Sequence, residues 1–210
     1  MTEPNNSEDL TIAIAARAPE EAVALLEYAN TESVALALER SNPAHAVAVL
    51  AHTPESKRQA ILAAAAPKWV EQWARNRDFD EDTIGRMMGP AFAVMPPTLT
   101  VGEAIERLRT IVKTTLVSYV FIVDDTSKLV GVLVFREVLL AARDQRLVDV
   151  MLPNPFFLDA TMSTIDAMRA VVTRHHPSYP VCDKDGTLVG VMRGETLFRH
   201  QAFELSAQAG

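Results

Sequence analysis

The chain states one pattern twice, at a fixed spacing. Asp124 and Asp183, Gly131 and Gly190, and Leu139 and Phe198 are each separated by the same 59 positions. Met88-Gly89-Pro90 and Met151-Leu152-Pro153 open the two blocks, and Leu129-Val130-Gly131-Val132 and Leu188-Val189-Gly190-Val191 stand near their ends. Between these marks each block has the same order of pieces: a short apolar strand, a Thr or Ser, an amphipathic helix, an apolar strand, an acidic turn, a second strand and a closing helix. A single βαββα copy cannot bury its apolar face alone, so two tandem copies are read as one structural unit. A unit of this kind points to binding and sensing rather than to catalysis.

In the first copy the pattern predicts a strand over Phe92 to Met95, stopped by Pro96-Pro97. Thr100-Val101-Gly102-Glu103 reads as a capping box that opens a helix through about Val112. Tyr119 to Val123 and Leu129 to Val134 read as a hairpin around the turn Asp124 to Lys128, followed by a helix over Phe135 to Arg143. The second copy repeats this with a strand at Phe156 to Leu158, a helix from Ser163 to about His175, strands at Tyr179 to Cys182 and Leu188 to Met192, and a last helix from about Glu195.

The residues before the repeat have a different texture. Ser7 to Asn76 is rich in Ala, Leu and Val, shows no strand alternation, and is punctuated by Pro19, Pro43, Pro54 and Pro67. A proline at the first helical position loses no hydrogen bond, so the runs Glu20 to Tyr28, Ala44 to Leu50, Glu55 to Ala65 and Lys68 to Arg75 are predicted helices. Thr53 is expected to cap the third of them. Val23 and Leu26, then Val34 and Leu38, recur at spacings of three and four, which turns one face of each helix inward. A stack of helical hairpins follows, with Trp69 and Trp73 sharing a helix face. The fold class expected for the whole chain is α+β: a helical hairpin stack and then a tandem βαββα pair.

Composition removes several functions. The chain is 49% hydrophobic and 22% charged, which fits a packed core and neither disorder nor a fibre. A net charge of −7 and no basic stripe argue against nucleic acid. No apolar run approaches the roughly 18 to 20 residues of a membrane helix, and the start lacks a signal-peptide pattern. Cys182 lies in an apolar strand and reads as a buried structural thiol. His175 and His176 are adjacent, so they share no chelating helix face; a place at a helix end before Pro177 suits them better. No glycine-rich phosphate loop, nucleophile elbow or zinc spacing is present, so the expectation is a non-enzyme.

Asp78-Phe79-Asp80-Glu81-Asp82 puts four carboxylates in five positions. It reads as a solvated linker or, more sharply, as a metal-responsive hinge, because a divalent cation with a preference for oxygen ligands would relieve the repulsion.

At this point the residues become specific to a family. Two βαββα copies with a glycine in the last strand resemble a pair of cystathionine-β-synthase (CBS) domains. The entry sequence Asp80-Glu81-Asp82-Thr83-Ile84-Gly85-Arg86-Met87-Met88-Gly89-Pro90, after a helical array, is similar to that of MgtE-type magnesium transporters. The resemblance implies a helical N-terminal domain over 1–77, an acidic linker over 78–87, a first CBS repeat over 88–145, a second over 146–198, and the start of a connecting helix over 199–210. It implies a regulatory region on the cytoplasmic face of a membrane, dimeric through its CBS pair and joined in a longer chain to a transmembrane channel domain. Mg²⁺ bound among acidic residues would then close the pore, with Asp78, Asp80, Glu81, Asp82, Glu195 and Glu204 as the carboxylates that remain. Departures from the family pattern are Ala44 and His45 after the helix-opening Pro43, Thr196 and Arg199 where acids are usual, and Ser163, Ile165 and His175 in the second repeat.

The same resemblance implies a second ligand class, since CBS pairs bind ATP or AMP. The pattern there asks for a hydroxyl three residues after the strand glycine and an Asp six after. This chain has Val134 and Glu137 in the first copy and Arg193 and Thr196 in the second. Glu137 can hold a ribose, and Arg136 or Arg193 can meet phosphate. A CBS adaptor with no small ligand, docking a protein partner through its helical stack, is the third reading.

Overall fold

A computed structural model describes residues 7–198. The chain divides into two compact units: one runs to Glu81 and takes in Arg86–Gly89, and the other comprises Asp82–Gly85 and the chain from Pro90.

Among its described residues the first unit contains six whole helices, α1 (Ser7–Ala15), α2 (Pro19–Tyr28), α3 (Thr31–Arg40), α4 (Pro43–His52), α5 (Glu55–Ala64) and α6 (Pro67–Asn76). Each packs on the next but one, α1 on α3, α2 on α4, α3 on α5 and α4 on α6, so the chain climbs in two layers. Leu10, Ile14, Leu26, Leu38, Val47 and Ile61 are buried between them.

Helix starts follow local chemistry. Pro19, Pro43 and Pro67 stand in the first turn of their helices, where a missing N–H costs nothing. Two helices lack a proline signal, α1 and α3; the spacing of Val34 and Leu38 marks the inward face of α3, which begins because the Asn30 side chain accepts from the amides of Glu32 and Ser33 at 2.9 and 3.2 Å. The expected cap at Thr53 is a correction. Pro54 holds the cap position of α5 without a side-chain bond, and the Thr53 hydroxyl points back, donating to the Val49 carbonyl at 2.7 Å. A threonine at the end of one helix can satisfy that helix's carbonyl, and here this wins over capping the next. Trp69 and Trp73 are buried with ring centroids 5.8 Å apart.

The four-residue α7 (Ile84–Met87) contributes its first half to the second unit and its second half to the first.

In the second unit the first copy comprises β1 (Val94–Met95), α8 (Val101–Ile111), β2 (Tyr119–Val123), β3 (Leu129–Val134) and α9 (Phe135–Leu140). The short α10 (Leu147–Val150) and β4 (Leu152–Pro153) lead into the second copy: β5 (Leu158–Asp159), α11 (Thr164–Val171), β6 (Ser178–Cys182) and β7 (Leu188–Arg193), with residues 194–198 helical. One sheet has the order β1-β2-β3-β4 and the other β5-β6-β7. In both, the first two strands run parallel and the hairpin antiparallel, with Ile122 opposite Gly131 in one and Val181 opposite Gly190 in the other. β4 opens the second copy in sequence yet pairs with β3 and completes the sheet of the first. Gly131 is a glycine because of that crossing: a Cβ there would run into the Met151 side chain.

Several predicted elements are shorter than expected. The strand at 92–95 is reduced to Val94–Met95, with the Ala93 carbonyl still accepting from Phe121 at 2.8 Å; that at 156–158 is shifted to Leu158–Asp159. The helix expected to reach Arg143 stops at Leu140, its end closed by a bond from Ala141 N–H to the Glu137 carbonyl. The helix expected to reach His175 ends at Val171, where the Arg174 amide turns back onto the Val171 carbonyl at 2.8 Å. His175 lies beyond it in the left-handed region, with φ 47°. Apolar periodicity marks the buried face of a helix, and these last turns carry none.

Candidate functional site

The acidic segment is exposed at Asp78, Asp80, Glu81 and Asp82. In the helical unit it follows directly on α6. In the repeat unit the Asp82 backbone carbonyl accepts from the Thr164 amide and hydroxyl, both at 2.9 Å, and Thr83 forms a bridge with Ser163. The Asp82 backbone thus helps to start α11, and its side chain remains exposed. Glu195 is exposed in the helical stretch 194–198. Glu204 and Arg199 lie outside the described residues. Among the described residues, no three His, Cys, Asp or Glu side chains gather into a group that can hold a metal ion. At position 45, where the resemblance expects an acid, the His45 ring lies 3.1 Å from the Ile14 carbonyl and ties α4 to α1.

The nucleotide candidates stand where each hairpin passes into its closing helix. Arg136 is exposed and Glu137 half-buried in α9; Arg193 is exposed at the end of β7, and Thr196 is half-buried. Glu137 Oε2 accepts from the Val134 amide at 3.4 Å, a long bond across the start of its own helix. The same backbone bond holds this corner in both copies: Phe135 N–H to the Ser118 carbonyl at 3.4 Å, and Gly194 N–H to the Pro177 carbonyl at 3.0 Å. Gly194 is required at its corner, because a Cβ would stand 2.9 Å from the His176 carbonyl.

Beside these corners lies an aromatic group that the sequence reading did not single out. The Tyr119 hydroxyl is 3.4 Å from His176 Nδ1, and the two rings meet edge to face with centroids 6.3 Å apart. The His176 amide donates to the Tyr179 hydroxyl at 3.1 Å, Tyr179 meets Phe156 at right angles, and the Arg174 guanidinium sits 3.8 Å above the Phe156 ring. Burial, then the neighbouring Tyr179, pushes the Tyr119 phenol up from its ordinary value. No periodicity or short motif connects these positions; only the offset that puts residues 117–119 opposite 176–178 points to them. Aromatic faces, exposed guanidinium groups and a carboxylate form a set suited to holding an anionic, ring-bearing ligand.

Comparison with known proteins places this geometry. The CBS domain model matches residues 84–144 and 147–201. Over 124 residues, 59% of this chain and 27% of the relative, the sequence is 27% identical to the magnesium transporter MgtE of Thermus thermophilus. The chain spans about a quarter of the length of the curated relatives it matches, 26% and 27%. Among solved structures it is similar to the soluble part of a magnesium transporter, with a TM-score of 0.73 and 18% identity over 95% of this chain and 84% of that one. It is also similar to the cytosolic domain of the Mg²⁺ channel MgtE in complex with ATP, with a TM-score of 0.69 and 18% identity over 94% and 91%. The fold is therefore α+β, a helical region of six helices followed by a CBS pair with mixed sheets. Matched by that model over more than half of its length, the chain belongs to the CBS domain family and has MgtE magnesium transporters among its homologues.

Proposed function

We propose that the chain is the cytosolic regulatory region of an MgtE-type magnesium transporter. It forms a homodimer through the CBS pair, is joined to a transmembrane channel domain of the same longer chain, and has no catalytic role. The observation that carries this reading is the sequence relationship to MgtE transporters, in a chain that also sets a six-helix unit ahead of its CBS pair. Among the described residues no helix is long and apolar enough to cross a membrane.

Regulation is proposed to run through Mg²⁺. The carboxylates of Asp78, Asp80, Glu81, Asp82 and Glu195 are hard oxygen donors, which suits the ion. Without a three-residue cage among the described residues, Mg²⁺ would be held as it often is, by one or two carboxylates and its own water. Facing carboxylates repel until a cation lies between them, so metal shifts the population toward a compact state that closes the channel. Titration with Mg²⁺ while hydrodynamic radius is followed tests this; an unchanged radius through about 20 mM, well above weak carboxylate-site affinities, removes the sensing role.

A second ligand is supported by a specific observation, the ATP complex of a structural neighbour. In this chain ATP or AMP would lie at the hairpin corners, with Arg136 or Arg193 on phosphate and Glu137 on ribose. Calorimetric titration is expected to give heat with adenine nucleotide that is lost in Glu137→Ala. No heat with either nucleotide removes this reading, and silence in both titrations leaves a CBS adaptor that docks a protein partner.

A further inference from the structure

A buried polar arrangement among the described residues lies outside both proposed ligand sites. Asn76, the last residue of α6, is fully buried. Its side-chain amide donates to the Met88 carbonyl at 2.8 Å and to the Arg86 carbonyl at 3.2 Å, and its Oδ1 accepts from Gln72 Nε2 at 2.8 Å. Gln72 is buried one helical turn earlier. Arg86 returns the contact, its Nη1 reaching the carbonyls of Asn76 and Arg77 at 3.4 Å each. Each side chain therefore reads the other's backbone. The Arg86 guanidinium also lies at the C-terminal end of α6, where carbonyls without a helical partner favour positive charge.

All of these groups belong to the helical unit, although Arg86 and Met88 follow the acidic segment in sequence. We propose that Asn76 and Arg86 form a clasp that closes Arg77–Gly85 into a loop with fixed ends, so that the exposed acidic segment is held in one course and gains the freedom that cleavage needs by opening of the clasp and not by bending of a free hinge. The chemistry favours one closed state. A fully buried carboxamide has two donors and one acceptor to satisfy, and every one of them is used here. Removal of one partner leaves buried carbonyls without donors, which is more costly than the bond itself is worth. Asn76 acts as a positioning residue: it touches no ligand and sets where the four carboxylates begin and end. The clasp does not depend on metal, so it stands or falls separately from Mg²⁺ sensing.

The test is limited proteolysis of the whole 210-residue protein in EDTA, with a protease that cuts after acidic residues, comparing Asn76→Asp with the unsubstituted chain. Aspartate keeps the shape, removes the amide donors and sets a carboxylate against the two carbonyls. Cleavage within 78–82 is expected to accelerate at least tenfold, the order of one buried hydrogen bond, while cleavage after Glu32 and Glu39 is unchanged. Acceleration below threefold overturns the clasp. So does acceleration spread evenly over the helical unit, which would make Asn76 a residue of general stability. Should Asn76→Asp fail to fold, Arg86→Gln decides by the same criteria, because Arg86 is only half-buried and its loss removes the return bonds alone.

Discussion

Ser127 and Gly186 hold the same turn position in the two CBS copies, both in the left-handed region with φ of 64° and 82°, and each binds the backbone of the opposite copy. The Ser127 carbonyl accepts from Leu188 N–H and the Gly186 carbonyl from Leu129 N–H, both at 3.0 Å, on either side of the bridge between Lys128 and Thr187. Leu129 and Leu188 are themselves repeat equivalents, so the contact is symmetric about a local twofold axis. Backbone groups make it, so the two turn sequences could diverge while the junction was retained.

At these two positions the cost of a side chain is conformational. A Cβ on Gly186 meets nothing within 4 Å, yet Gly186→Ala is expected to lose about 1–2 kcal/mol, the cost of left-handed backbone for an L-residue. Ser127→Gly should relieve the same strain and, after the added freedom of the unfolded chain, shift stability by less than about 1 kcal/mol. Urea unfolding of the two variants measures both; a Gly186→Ala protein as stable as the parent contradicts the assigned backbone.

Helix α8 depends on a reciprocal cap. The Thr100 hydroxyl accepts from the Glu103 amide at 3.2 Å, and Glu103 Oε2 accepts from the Thr100 amide at 2.8 Å and from its hydroxyl at 2.9 Å. Thr100→Ala is expected to cost about 1 kcal/mol at neutral pH. The bonds from the Thr100 backbone and then its hydroxyl hold the Glu103 carboxyl below its ordinary 4.5. A depressed carboxylate contributes its stability above the unfolded value and loses it as pH falls, so the gap between Thr100→Ala and the parent should narrow below about pH 4.5. A gap that widens in acid would rule out the charged form of the cap.

Cys182 is buried in β6, and burial, reinforced by Asp183 and Asp159, pushes its thiol from 9.0 up to about 12. The folded protein therefore retains a proton that the unfolded chain gives up between these values. Stability from this group is full below about pH 9 and declines toward 12. Cys182→Ala should flatten that decline, and the native thiol should resist alkylation at pH 8 until the chain is unfolded. Alkylation of the native protein at the rate of a free thiol would show Cys182 to be accessible.

Most of the architecture was legible because it was repeated. A constant offset ties each strand and turn of one CBS copy to its counterpart, and capping residues such as Thr100 and Ser163 state helix starts locally. Prolines announced α2, α4 and α6 in the same way, whereas α1 and α3 had no such mark. Helix ends were less legible, because α9 and α11 close on local backbone bonds, Ala141 to Glu137 and Arg174 to Val171, that no residue type announces. The site was least legible. The residues around Tyr119 and His176 come together only through the local twofold, and the buried role of Asn76 depends on carbonyls ten and twelve positions along the chain. Composition could identify the acids at 78–82 but not the clasp beside them.

Divalent metal is proposed to drive this chain to a compact state. Sedimentation velocity or small-angle scattering across a Mg²⁺ titration, with K⁺ at matched ionic strength, tests it most directly. A fall in hydrodynamic radius between sub-millimolar and millimolar Mg²⁺, absent with K⁺, is the predicted result. A radius that is constant with Mg²⁺, or that changes equally with K⁺, would contradict it.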